Sequence, residues 1–296
     1  MALALFGCQS GTHQEPERPA PSARELVDLR SRVLGYTATF QEDGPYTAPD
    51  DDGRERLARG VGRLLEGDFR RAEELLAPLG LGVTRLTDTA SGRRYDEVAA
   101  TGPGDSAHWG RLYLNADADV RWSAQVPHPR SDRNTEDLGV RLLEDAPGGA
   151  LVLAGAHRRA GDDGAADVAH REDSAFHTVV AELQRRGVPG IQLHGFDDSS
   201  DRRPYDAVVS TGAAQSAPGE VVALADRMEA DGLRVCRGWS DRCPLEGRSN
   251  VQGRAAQRQH ATFVHLELAP HARGDGRDAD EAADAITGLL SAWAHD

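Results

Sequence analysis

The sequence predicts an α/β fold: a mixed, mostly parallel sheet with helices on both faces. Three observations lead there. Between about Trp122 and Leu268, short apolar runs alternate with segments of helical period. Such alternation makes a parallel or mixed sheet covered on both sides. The run Ala150 to Ala154 is apolar throughout, as a buried strand is. After Ala23 there is no internal repeat and no interdomain linker, so residues 23–296 read as one α/β domain with a helical N-terminal part.

The elements follow in order. Ala23 to Gly35 reads as a helix, with Leu26, Leu29 and Val33 at helical spacing. Asp50 to Glu66 and Phe69 to Leu79 are two more helices, ended by the turn at Gly80. From Val83 the period shortens. Val83 to Leu86, Tyr95 to Ala100, Leu112 to Leu114 and Trp122 to Val126 read as strands. Asn134 to Glu144 is helical, with Asn134 as its cap, and Ala150 to Ala154 is the next strand. Ser174 to Arg186 and Pro218 to Asp231 are helices. Gly190 to Leu193, Ala207 to Ser210, Leu233 to Val235 and Thr262 to Leu268 are strands, and Ala279 to Ala294 closes the chain as a helix.

Composition removes several function classes. The 296 residues carry 34 basic and 48 acidic side chains, a formal charge of -14. Such a chain is a poor partner for nucleic acid, whose non-specific binding relies on neutralising phosphates. All the basic residues are arginine; there is no lysine. A phosphate-binding Walker loop, a protein kinase and a pyridoxal phosphate enzyme each need a lysine. No G-x-S-x-G or G-x-G-x-x-G occurs.

Three cysteines carry a pattern. Cys8 follows the short apolar run Ala2 to Phe6, like the lipidated cysteine that ends a bacterial lipoprotein signal. Residues 1–22 then read as a truncated lipoprotein-like signal and a flexible tether, with a lipid anchor at Cys8. That implies the cell envelope or the extracellular space. Cys236 and Cys243 remain to pair as a disulfide, which suits an oxidising compartment. Closing so small a loop contributes roughly 2–3 kcal/mol on the chain-entropy model. No run of 18 apolar residues exists, so no transmembrane helix is expected.

The functional argument rests on where the strands stop, because α/β sheets place ligands beyond their strand ends. One strand stops at Pro127-His128, followed by Asp132 and Glu136. The strand ending at Ala154 stops at His157-Arg158, and Asp167 to His170 lies in the next connection. Ile191 to Leu193 stops at His194, and the late strand carries His265 and Glu267. Two histidines and a carboxylate make an open zinc site, and a second carboxylate can move protons for the attacking water. His128, His194 and Asp132 (or Glu136) would be the ligands, with Glu267 as the base. The plain alternatives are that Asp132 and Glu136 serve only as helix-start acids and Glu267 as half of an ion pair. His108, His177, His260, His265 and His271 carry no such signal.

This order resembles the zinc carboxypeptidase and N-formylglutamate amidohydrolase superfamily. Pro127-His128 after a strand, an acid near a helix start, His194-Gly195 after a later strand and Phe263-Val-His-Leu-Glu267-Leu268 near the end carry the likeness. Phe176-His177 resembles the amidohydrolase branch. The likeness spans about Trp109 to Pro270 and implies a phosphorylase/hydrolase-like fold. Two departures stand out. The carboxypeptidase His-x-x-Glu has Ser131 in the glutamate place, and the Asp-x-Asn-Arg stretch reads Asp167-Val-Ala-His170. His170, Arg158 or Arg171 then stands in for the substrate-binding arginine.

The resemblance implies a zinc-dependent hydrolase of an amide bond in a peptide, γ-glutamyl or N-acyl amino acid substrate. His157, Arg158 and His170 would hold the substrate carboxylate, for which arginine offers a bidentate fork. Asn250 or Arg254, after the disulfide loop, is expected to reach the substrate. A non-catalytic envelope protein on the same fold is the alternative, and a metal-free serine hydrolase a third reading. Thiol counting on denatured, unreduced protein should find no thiol beyond Cys8; two more would break the expected disulfide.

Overall fold

The computed structural model describes residues 24–102, 108–197, 204–214 and 216–295. Cys8 and the expected tether lie outside the described residues. The strands are β1 (Glu25–Val27), β2 (Leu81–Asp88), β3 (Arg94–Ala100), β4 (Arg111–Asn115), β5 (Trp122–Val126), β6 (Gly149–Leu153), β7 (Gly190–Gly195), β8 (Ala207–Ser210), β9 (Val235–Arg237) and β10 (Phe263–Leu268). The helices are α1 (Leu29–Thr37), α2 (Asp51–Leu65), α3 (Phe69–Leu76), α4 (Thr135–Asp145), α5 (Ala175–Arg185), α6 (Gly219–Ala230), α7 (Val251–Gln259) and α8 (Arg277–His295).

All ten strands join one sheet, in the order β1-β2-β3-β4-β6-β5-β7-β10-β8-β9. Its centre, β6, β5, β7 and β10, is parallel. Antiparallel pairs flank that centre, at β2–β3, β3–β4 and β4–β6 on one side and β10–β8 on the other. The predicted mixed, mostly parallel sheet is therefore observed. Both faces are covered. On one, α1, α4, α6 and α8 close an apolar core over Ala124, Val126, Leu151, Ile191, Leu193, Val264 and Leu266. Burying a leucine such as Leu193 or Leu266 contributes roughly 1.5–3 kcal/mol. On the other face, α2, α3 and α5 cover a second core over Leu112, Leu114, Ala150 and Val152.

Strand alternation decides what happens between these cores. With Ala124, Val126, Ile191, Leu193, Val264 and Leu266 pointing into the first core, Gln125, Gln192, His194, His265 and Glu267 must point the other way. Register places Gln125 beside Gln192, Gln192 beside His265 and His194 beside Glu267. All five are buried. A continuous polar patch thus lies across the central strands β5, β7 and β10.

Four expectations need correction. The helix read over Ala23 to Gly35 is a short strand, β1, followed by α1. Asp28 sets the break: its carboxylate accepts from Ser31 N at 2.7 Å, while Glu25 to Val27 pair with β2 and form the edge of the sheet. The strand read at Leu233 to Val235 lies two residues later, because Leu233 N still bonds to Met228 O and completes the end of α6. The segment after the disulfide, Leu245 to Gly253, has a turn-forming composition, yet it turns helical at Val251. Asn250 caps α7 there, accepting from Gly253 N at 2.9 Å. Asn134 makes no side-chain cap of α4; its backbone is left-handed, with φ 68°. Cys236 and Cys243 form a disulfide, as their spacing predicts.

One acid of α4 makes the fold pH-sensitive. Glu144 is half-buried, and its Oε1 has no hydrogen-bond partner. Burial, then the neighbouring Asp88, Asp145 and Asp28 carboxylates, push its pKa up to about 7, against the nearby Arg30. The folded state therefore holds this proton over a pH range where the unfolded chain, titrating near 4.5, has lost it. That contribution is present below about pH 4.5 and lost as pH rises toward about 7. Urea unfolding of Glu144→Gln should show a smaller fall in stability from pH 4.5 to pH 8 than the wild type; parallel curves would exclude Glu144 as the source.

Candidate metal centre

The site begins at the carboxyl end of β5. The chain leaves Val126 and folds into a tight turn, with Asp132 N bonded to His128 O at 2.9 Å. Left-handed backbone at Arg130 (φ 67°) and Asn134 (φ 68°) reverses its direction. The turn brings the His128 and Asp132 side chains together, and β7 delivers His194 from the neighbouring strand. Asp132 Oδ2 lies 3.3 Å from His128 Nδ1 and 3.2 Å from His194 Nδ1. Gly195 N also donates to it, at 3.3 Å. His128, Asp132 and His194 are 1%, 6% and 4% exposed, so this convergence is sheltered from bulk water.

The outer nitrogens of the rings are held separately. His128 Nε2 lies 2.7 Å from Asp167 Oδ1, and His194 Nε2 lies 2.9 Å from Gln192 Oε1. With its proton on Nε2, donated to that acceptor, each ring turns its Nδ1 lone pair inward toward Asp132. Metal-ligating histidines are oriented by such partners. Two donors each about 2.0–2.1 Å from a tetrahedral zinc lie about 3.3 Å from one another. The two separations from Asp132, 3.2 and 3.3 Å, match that spacing, and all three donor atoms lie within 4.8 Å of one another, so the set fits a metal ion.

Electrostatics separates the two histidines. Burial works against charge on His128, but hydrogen bonds to Asp132 and Asp167 outweigh it and raise its pKa. Burial dominates at His194 and lowers it to about 4, against the pull of Asp132. The difference follows from their partners. His128 meets two carboxylates, whereas His194 meets one carboxylate and an amide oxygen. Burial also opposes charge on Asp132 and Asp167, yet their histidine partners hold both carboxyls far below the ordinary range.

The remaining candidates take different places. Of the two acids considered as third ligand, Asp132 joins the histidines and Glu136 does not. Glu136 is buried, with Oε1 accepting from Arg130 N at 3.2 Å. Glu267 forms a second triad with His194 and His265, their donor atoms lying within 4.8 Å of one another. His265, which carries no signal in the sequence, thus belongs to the site's surroundings. Arg158 and His170 gather at Asp167, with Arg158 Nη2 at 3.0 Å and His170 Nδ1 at 3.2 Å from Oδ2. His157 stands apart from that cluster; its Nδ1 lies 3.3 Å from Arg159 N. Ser131, in the place of the family glutamate, accepts from Arg158 N at 3.3 Å.

Of the two residues expected to reach the substrate, Asn250 is turned into the interior. Asn250 is buried and donates from Nδ2 to Gln192 Oε1, while Arg254 is exposed on α7. Sequence reasoning missed Gln192 as a support. Its only signal is an amide two residues before a strand-end histidine, on the same strand face. Gln192 Nε2 lies 3.2 Å from Gln125 Oε1 and 3.3 Å from Gln252 Oε1. Gln252 Nε2 in turn holds Val168 O at 2.9 Å, next to Asp167.

No protein-family model matches this chain, and no curated protein matches it. Solved structures do. An N-formylglutamate amidohydrolase from Ralstonia eutropha is 17% identical over 62% of this chain and 96% of its own, with a TM-score of 0.40. A putative carboxypeptidase A from Shewanella denitrificans is 13% identical over 76% of this chain and 68% of its own, with a TM-score of 0.40. A metallo-carboxypeptidase from Pseudomonas aeruginosa, in complex with (2-guanidinoethylmercapto)succinic acid, is 15% identical over 84% of this chain and 68% of its own, with a TM-score of 0.36. Their names belong to the superfamily that the sequence resembles. At likenesses this remote, the reading of the site rests on its own geometry.

The outer supports can be tested directly. Asp167→Asn and Gln192→Leu should each weaken the affinity for an added divalent cation by about 10–100-fold. Competition with a chromophoric chelator measures this, with thermal melts as a check on folding. Unchanged affinity in both variants would show that neither orients a ligand.

Proposed function

We propose that this protein is a zinc-dependent hydrolase of an amide bond, working outside the cytoplasm on a substrate that carries a carboxylate. The convergence of His128 Nδ1, His194 Nδ1 and Asp132 Oδ2, with both Nε2 atoms held by Asp167 and Gln192, carries the reading. Two histidines and one carboxylate are a set that leaves a zinc position open to substrate and water. A zinc ion held there would polarise the amide carbonyl and make a water more acidic.

The chain's own residues supply the rest. Glu267, opposite His194 in the β7–β10 register, takes the proton from the attacking water and passes it to the departing nitrogen. Arg158 and His170 are partly exposed beside the centre; Arg158 offers its guanidinium charge, and His170 a ring N–H, to a substrate carboxylate. Asp167 bonds to both and to His128, so the substrate-binding side chains and the metal ligand are braced by one carboxylate. Peptides, γ-glutamyl compounds and N-acyl amino acids all present an amide near a carboxylate. The Cys236–Cys243 disulfide supports export, because such bonds persist in oxidising compartments. Among the described residues, no helix is long and apolar enough to cross a membrane.

The test is a panel of N-acyl amino acids, short peptides and γ-glutamyl peptides, each beside its carboxyamide. The wild type should cleave a free-carboxylate member and lose activity to a chelator. Glu267→Gln keeps the shape but cannot take up the proton. It should retain the ion and lose at least about 10²-fold in kcat. Near-normal turnover by that variant would remove Glu267 from catalysis, and activity that survives full zinc removal would overturn the metal-dependent reading.

A further inference from the structure

Among the described residues, two triads have metal-ligand character, and they share one member. The first is His128, Asp132 and His194; the second is His194, His265 and Glu267. Nothing in the proposed chemistry uses His265, yet the structure holds it firmly. It is 4% exposed, and its Nδ1 has no hydrogen-bond partner. Its ring stacks on that of His194, with centroids 4.5 Å apart and planes at 26°. Two residues further along β10, on the same face, comes Glu267.

The other edge of the ring is closed by main chain. Gly247 sits there with φ +63°, and a Cβ at that position would meet His265 Cδ2 at 2.3 Å and Nε2 at 2.6 Å. Only glycine fits such an approach. The loop that presents Gly247 is itself tied down. The Cys236–Cys243 disulfide closes its start, Glu246 Oε1 accepts from Cys243 N at 2.8 Å, and Ser210 Oγ donates to Glu246 O at 2.6 Å. His177 provides the contrast. It is also buried, but its Nδ1 lies 3.3 Å from Gln252 Nε2, as in an ordinary satisfied core histidine. A buried imidazole nitrogen without a partner, beside a carboxylate and a second imidazole, is arranged for a cation instead.

We propose that His194, His265 and Glu267 form a second seat for a divalent cation, alternative to the His128–Asp132–His194 seat. The two seats exclude each other for a reason visible at His194. Its Nε2 is engaged with Gln192 Oε1, so the neutral ring has one lone pair to give. An ion in the second seat would coordinate Glu267 and withhold it from proton transfer. The protein would then have a metal-loaded state in which the proposed base is occupied. This inference rests on the reading of the first triad as a metal centre.

Zinc titration of metal-stripped protein tests the two readings separately. The wild type should bind one zinc per chain. Asp132→Ala removes a ligand of the first seat only and should still bind zinc. Asp132→Ala combined with His265→Ala should bind at least about 10-fold more weakly than Asp132→Ala alone. The same pair in a His128→Ala background repeats the comparison through a different residue. Near-ultraviolet circular dichroism identifies variants that fold. Equal zinc affinity with and without His265 in both backgrounds overturns the second seat and leaves the first standing. A wild type that binds no zinc overturns both.

Discussion

Three lone-pair donors converge between β5 and β7, and such a convergence is repulsive unless positive charge sits among them. Asp132 Oδ2 faces His128 Nδ1 and His194 Nδ1 within 3.3 Å, in a place almost closed to water. A proton on His128 can meet that demand, and its raised pKa shows the pull. A divalent cation meets it more completely, because it serves all three donors at once. The turn after β5, the tie to Asp167 and the amide at Gln192 all hold this arrangement. Without them the side chains would separate and the charge conflict would relax.

The surrounding amides show how such a site survives inside a sheet. Buried polar groups are costly unless hydrogen-bonded, at about 1–3 kcal/mol for each one left unsatisfied. Gln125, Gln192, Gln252 and Asn250 answer one another across β5, β7 and α7, and Gln252 reaches His177 and Val168 O. A satisfied network of this kind stiffens what it touches. It fixes the ring of His194 through Gln192 and the turn at Asp167 through Gln252. The same helix α7 thereby couples the disulfide loop to the centre.

Much of this was legible along the chain. The alternation from Trp122 to Leu268 is strong because each strand is short, apolar and bounded, and the positions of His128 and His194 at strand ends follow from it. Of the two acids the sequence offers, Asp132 and Glu136, it is Asp132 that meets the two histidines. Other parts were not legible. Helix α7 is polar and begins with a glycine-containing turn, so only its cap at Asn250 and its packing reveal it. Gln192 and His265 look like ordinary strand residues. Their importance depends on which strand lies beside which, and β7 and β10, adjacent in the sheet, are separated in sequence by β8, α6, β9 and α7.

By itself the sequence determined the class of fold, the absence of lysine chemistry, the disulfide spacing and the residues available for metal chemistry. These are matters of composition and short-range period, which a chain carries without being folded. Only the tertiary structure decided which nitrogen of each histidine faces inward, which acid completes the triad and what holds the outer nitrogens. It also decided that Asp167 serves His128, Arg158 and His170 together. The contacts that join these groups, His128 to Asp167 and His194 to Asp132, link residues far apart along the chain, and their geometry is set by the order and register of strands that no local pattern records.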